Sequence, residues 1–143
     1  MDINFNFEDV EYELPDEKSL VDWISYSIKN ENFIPCKLSY IFCSDEYLWK
    51  MNKQFLEHDY YTDIITFDYV EGDNISGDMF ISIDRIKDNA NKFNVSCETE
   101  LLRVMIHGVM HLVGYDDLTD EQEAEIHKKE DFYIEVYNNK FKK

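Results

Sequence analysis

The segment HGVMHLVGYDD, residues 107–117, sets two histidines four residues apart and an aspartate ten residues after the first. On a helix His107 and His111 share one face, one turn apart, and can aim ring nitrogens at a common point. Gly114 suits a left-handed C-cap, where the chain reverses, so Asp117 can fold back toward the pair. Three such ligands with open positions make a catalytic zinc site, or the facial triad of non-haem iron. An ion held there lowers the pKa of a bound water toward roughly 7 and supplies a hydroxide nucleophile. The same residues also fit a plainer reading, two hydrogen-bonded core histidines followed by a turn opened by Asp116 and Asp117. The HExxH peptidase pattern does not apply, because Gly108 stands where its general base would be. Gly inside a helix costs about 1 kcal/mol. Its presence points to close packing of another backbone or of a substrate.

The elements around this segment follow from periodicity and caps. In ELLRVMIHGVMHLVG the apolar residues point all round the helix, which predicts a buried central helix from Ser96 to Val113. Its polar exceptions, Arg103, His107 and His111, form one stripe. Strands are predicted at 3–7, 37–43, 62–69 and 77–83, the last two as an antiparallel hairpin across the turn EGDN. Helices are predicted at 16–30, where Leu20, Trp23, Ile24, Ser27 and Ile28 share a face, and at 45–56, capped by Ser44. There Leu48, Met51, Asn52 and Phe55 lie along one face. A short helix at 84–93 and a last one at 120–138, opened by a Thr119/Gln122 capping box, complete the set. The expected class is α+β: a small mixed sheet of about four strands packed by about five helices, with the metal site on a central buried helix. Residues 1–143 form a single domain in this reading, without repeats or linkers.

Composition narrows the function classes. The chain has 143 residues, 44% hydrophobic and 31% charged, with only 4 Gly and 2 Pro. No apolar run approaches the ~20 residues that span a bilayer, and the acidic N-terminus lacks a signal-peptide pattern. The expectation is a cytoplasmic protein. Three cysteines, Cys36, Cys43 and Cys97, without a CxxC, read as reduced, buried small hydrophobes. The net charge of −17 opposes a polyanionic substrate, since phosphate affinity normally comes from Lys and Arg. Any polyanion would have to enter a locally basic or metal-charged cleft. Asp59, Asp63 and Asp78 fit capping and turn roles, and His127 a solvated helix face. Lys128, Lys129, Lys140, Lys142 and Lys143 cluster toward the C-terminus, where a helix dipole favours cations. Most of the Tyr and Phe residues read as core.

Three separated motifs carry a family resemblance. HGVMHLVGYDD is similar to the HGxxHLxGYDH signature of the YbeY family of bacterial rRNA maturation factors. NKQFLEHDYYTDIITFDY (52–69) resembles that family's segment leading into a strand, and GDMFIS (77–82) its following Gly-Asp strand. The resemblance spans about residues 40–125. It implies a zinc-dependent hydrolase, a single-strand-specific endoribonuclease acting in 16S rRNA 3′-end maturation and ribosome quality control. It assigns the metal to His107, His111 and Asp117 and the substrate to rRNA or other single-stranded RNA. Ribosomal small-subunit proteins or an assembly GTPase are expected as partners if the protein acts as an assembly factor, and no membrane role is expected. The chain departs from the family at four places: Asp117 replaces the third metal-binding His, Leu56 an Arg, His58 a Lys and Tyr61 a Pro. Asp can replace His as a ligand and makes the site harder and more anionic. With the Arg lost, His58 and Arg103 are the candidate catalytic cations. Two alternatives stay open: a non-catalytic ribosome-assembly factor with a structural metal, and a metal-dependent hydrolase of small substrates.

Overall fold

Helix starts in this chain coincide with side chains that can accept from free backbone amides. The computed structural model describes residues 1–56 and 62–143. Asp16 accepts from the Ser19 amide to open α1 (Glu17–Asn30), and Ser44 accepts from the Tyr47 amide to open α2 (Asp45–Leu56). Ser82 and Ser96 do the same for α3 (Ile83–Phe93) and α4 (Cys97–Leu112). Thr119 and Gln122 form the expected capping box of α5 (Asp120–Val136). That helix gives way to a π-helical turn at Tyr137–Phe141 instead of continuing to 138.

The strands are β1 (Asp2–Phe7), β2 (Ile34–Cys43), β3 (Ile64–Asp68) and β4 (Asn74–Ser82), in the sheet order β1-β2-β4-β3. β1 and β4 both run parallel to β2, and β3 closes the sheet antiparallel to β4. The α+β class, the four-strand mixed sheet and the β3–β4 hairpin are as the sequence predicts. β2 starts three residues earlier than predicted, because the Ile34 amide donates to Asp73 and Pro35 pairs with Ile75 before a register shift. Pro35 and that irregularity hide the strand's beginning from a pattern of alternation.

The two sheet faces are unequal. Leu38, Tyr40 and Phe42 of β2, with Ile75, Met79 and Ile81 of β4, face a large core completed by α1, α4 and α5. The opposite face carries a small cluster of Cys43, Leu48 and Ile65 under α2. All five predicted face residues of α1 are buried, and Trp23 donates its indole N–H to the Tyr133 carbonyl of α5 at 2.8 Å. On α2, Leu48 and Asn52 are buried, whereas Phe55 is exposed and lines an open cleft with Phe67 and Phe80 of the sheet. Cys43 is buried as expected, whereas Cys36 and Cys97 are exposed, one on a strand and one on the first turn of α4.

Helix α4 lies in the middle of the domain, with ten of its residues buried. The Tyr40 hydroxyl donates to the Met105 carbonyl at 3.1 Å and pins it to β2. A Cβ on Gly108 would stand 2.6 Å from the Met79 sulfur and 3.0 Å from Ile64 Cδ1. The glycine thus lets α4 settle on β4 and β3. The close neighbours are side chains, not the backbone or substrate expected from the sequence. Among the described residues, no helix is long and apolar enough to cross a membrane.

Candidate metal centre

His107 and His111 sit on the half-buried stripe of α4, in the helix's last two turns, and their Nε2 atoms are 2.9 Å apart. The chain turns at Val113 and at Gly114, whose φ is +107°, a backbone conformation that disfavours side chains. This return brings Asp117 Oδ2 to 3.5 Å from His107 Nε2 and 3.4 Å from His111 Nε2. The three ligand atoms meet at one point, at the edge of the core, as the sequence spacing predicts. The sequence also places Arg103 on this stripe, but its guanidinium is turned to α5, donating to Glu130 at 3.1 Å and Asp131 at 2.8 Å. His58, with Asp59 and Tyr61, lies outside the described residues.

The tautomers of both histidines follow from their second nitrogens. His107 Nδ1 is 2.6 Å from Glu130 Oε2, and Glu130 is buried, 1% exposed. Burial favours a neutral Glu130, but bonds from His107, His127 and Arg103 outweigh it and hold the carboxyl below its ordinary value. A carboxylate only accepts, so His107 Nδ1 carries the proton. His111 Nδ1 is 2.9 Å from the Tyr115 carbonyl, which also only accepts. With the proton on Nδ1, the neutral form of each imidazole therefore turns an Nε2 lone pair toward the same point. Two lone pairs facing at 2.9 Å repel unless a cation lies between them.

A proton or a metal ion meets that requirement. Burial disfavours a charged His107, but Glu130, with Asp63 and Asp117, overcomes it and raises the pKa above the ordinary value. A negative ring of this kind stabilises any cation at the point. Ligands at ~2.0–2.2 Å from a tetrahedral ion lie about 3.4 Å from one another. The two nitrogen–oxygen separations match, and the imidazole pair is closer by roughly 0.5 Å. Three donors on one side, each histidine fixed by an acceptor on its far nitrogen, fit a divalent transition metal.

A cleft of about 230 Å³ adjoins His107, lined by Asp63, Glu100, Arg103, His127 and Glu130 among others. Burial raises the pKa of Asp63 and of Glu100. Arg103 and His127, which line the cleft, are both engaged with Glu130. His127 is half-exposed, and its Nδ1 donates to Glu130 at 3.0 Å, so it is tied in and not simply solvated. A wider cleft of about 420 Å³, between Lys37, Tyr69, Glu71 and Asp78, contains none of the three ligands. Three of the lysines clustered toward the C-terminus are also engaged: Lys129 with Glu31, Lys142 with Glu98, and Lys143 with Asp16.

Glu130 escapes a search for ligand spacings, because it is an outer partner 23 residues from His107. One signal was available. Ile126, Glu130, Tyr133 and Tyr137 form the buried stripe of the last helix, and a lone Glu on an apolar stripe needs a partner. The Tyr115 carbonyl left no such signal, since backbone acceptors are invisible in residue types.

Comparisons with known proteins point to one family. The family described as endoribonuclease YbeY matches residues 2–138. Relatives of that name from Flavobacterium johnsoniae and Flavobacterium psychrophilum are 47% and 46% identical over 136 and 138 residues. Those matches cover 95% and 96% of this chain and 97% and 98% of theirs. The relative from Cytophaga hutchinsonii is 48% identical over 130 residues, covering 90% of this chain and 91% of its own. The solution structure of TM1509 from Thermotoga maritima superposes with a TM-score of 0.67 at 29% identity, covering 94% of this chain and 88% of that one.

Proposed function

The chain belongs to the endoribonuclease YbeY family, and we propose that it is a metal-dependent endoribonuclease that cuts single-stranded RNA. The precursor of small-subunit rRNA is its substrate, which makes the cytoplasm its place of work. The observation that carries the reading is the meeting of His107 Nε2, His111 Nε2 and Asp117 Oδ2 at one point, with both histidines fixed as Nε2 donors. Zinc is the proposed ion, because two imidazoles and a carboxylate with open positions are a common catalytic zinc set.

A zinc ion held there supplies a Lewis acid for the scissile phosphate and an acidified water. The protein's own residues do the rest. Glu130 holds His107 in the ligating tautomer, offsets the charge of Arg103 and accepts from His127. Arg103 acts as a positioning residue in this reading, keeping Glu130 ionised, and not as a cation against the phosphate. His58 remains the proposed second cation, in the position of the family's Lys. In an acidic protein the polyanion is then met by the metal charge, with local cations secondary.

The test is cleavage of a labelled single-stranded RNA and the same sequence as a duplex, by wild type and by His107→Ala. Cleavage of the single strand alone, lost in the variant and on chelation, supports the reading. One observation favours the second reading, an assembly factor with a structural metal: the Arg103 guanidinium and the His127 imidazole in the cleft are both bonded to Glu130 and not free for a phosphate. Metal bound at full occupancy, with no cleavage of any RNA and stable association with small-subunit proteins or an assembly GTPase, would favour it instead.

A further inference from the structure

The loop that supplies Asp117 and orients His111 is anchored to a helix far away in sequence. The Tyr115 amide donates to the Met110 carbonyl at 2.9 Å, and the Tyr115 carbonyl accepts from His111 Nδ1 at 2.9 Å. Those backbone contacts all lie within the short return from α4. The side chain provides a third point. Its hydroxyl donates to Glu31 Oε1 at 2.7 Å.

Glu31 itself is firmly placed. It follows the last residue of α1, with its amide donating to the Ser27 and Ile28 carbonyls at 3.3 and 3.2 Å. Its side chain is 8% exposed. Oε2 accepts from the Tyr133 hydroxyl and from Lys129 Nζ at 3.2 Å, and the same ammonium lies 5.6 Å from the centre of the Tyr115 ring. The Tyr133 hydroxyl in turn accepts from the Asn30 side-chain Nδ2 at 3.0 Å. A nearly buried carboxylate with three donors, two of them on α5, is a rigid fixture. What it grips on its remaining side is the residue whose carbonyl sets His111.

We infer that Glu31 is a positioning residue of the metal centre, acting through the Tyr115 hydroxyl to hold the 114–117 loop so that His111 and Asp117 face the ion. The inference rests on the metal-binding reading proposed above. If Tyr115 is released, its peptide plane can rotate, His111 loses the acceptor that fixes its tautomer, and Asp117 loses its approach. Outer partners of metal ligands typically change affinity 10- to 100-fold, and Glu31 stands one bond further out. The expected loss on removing it is therefore on the order of 10-fold.

The experiment measures zinc affinity by competition with a chromophoric chelator, and the visible spectrum of the cobalt-loaded protein, for the full chain and its variants. Glu31→Ala and Tyr115→Phe should each weaken zinc about 10-fold and alter the cobalt bands. The double variant should lose no more than either alone, because both break one linkage. Glu31→Gln keeps the link to Tyr115 in either orientation, because the Tyr115 hydroxyl can donate to the amide oxygen or accept from the NH2 group, so it should restore most of the affinity. Tyr133→Phe disturbs the same carboxylate without touching the loop; it should lower the melting temperature and leave zinc affinity within about 2-fold. Unchanged zinc affinity in Glu31→Ala, or losses that add in the double variant, would overturn the inference while leaving the metal centre intact. Failure of the wild type to bind zinc or cobalt would overturn both.

Discussion

Replacing Glu130 by Gln changes one oxygen to an NH2 group and almost nothing in volume, yet the site cannot accommodate it in either orientation. Oε2 faces His107 Nδ1 at 2.6 Å, and Oε1 faces Arg103 at 3.1 Å and His127 at 3.0 Å. All three neighbours donate, and an amide has a single accepting oxygen. Arg103 is always charged, so the oxygen turns to it and the NH2 turns to His107. His107 then moves its proton to Nε2, where the ion would bind. Loss of an outer carboxylate costs 10- to 100-fold in metal affinity, about 1.4–2.7 kcal/mol. Breaking a buried ion pair costs roughly 3–5 kcal/mol. Arg103 keeps Asp131 and is one-third exposed, so the stability loss falls to about 2–3 kcal/mol. Chelator competition gives the first quantity, and urea unfolding of the metal-free protein the second. A Glu130→Gln variant that binds zinc within about 2-fold of wild type would refute the tautomer argument.

Further outcomes follow from the same contacts. Gly77→Ala should destabilise by about 1–3 kcal/mol and by more than Gly108→Ala, as urea midpoints would show. The new Cβ at 77 meets the Phe67 carbonyl at 2.7 Å, a backbone atom, whereas at 108 it meets the flexible Met79 thioether. Of the three thiols, Cys36 and Cys97 should react with a disulfide reagent in the native protein, and Cys43 only after unfolding. Burial pushes the Cys43 pKa up to about 12. Burial would raise the pKa of Glu31, but hydrogen bonds from Tyr133, Tyr115 and Lys129 hold it below its ordinary 4.5. Its contribution to stability is present above pH 4.5 and is lost as pH falls through the lowered folded value. The stability gap between wild type and Glu31→Gln should thus be full at about pH 7 and shrink in acid.

The ligand set and the central helix were legible because they depend on local periods: a one-turn spacing, an apolar surface all round, and a glycine that reverses the chain. The caps at Ser44 and Thr119 were legible for the same reason. What stayed hidden is tertiary. Glu130 reaches His107 across 23 residues and Glu31 reaches Tyr115 across 84, and neither separation leaves a periodic trace. Arg103 shares the histidine stripe, yet the acids of α5 take it away from the metal side. His127 looked solvated because its helix is polar, although its partner Glu130 lies only three residues further along the same helix, a spacing that brings side chains together. The exposure of Cys36 and Cys97 likewise depends on which faces other elements leave uncovered.

The most direct test is to load the metal-free protein with zinc in steps and follow bound metal by elemental analysis and cleavage of a single-stranded RNA together. Asp117→Ala is carried in parallel. The account predicts that cleavage rises in proportion to bound zinc, saturates at about one ion per chain, and fails with the variant, which retains little metal. Equal RNA cleavage by metal-free wild type, or by an Asp117→Ala protein that holds no metal, would contradict it.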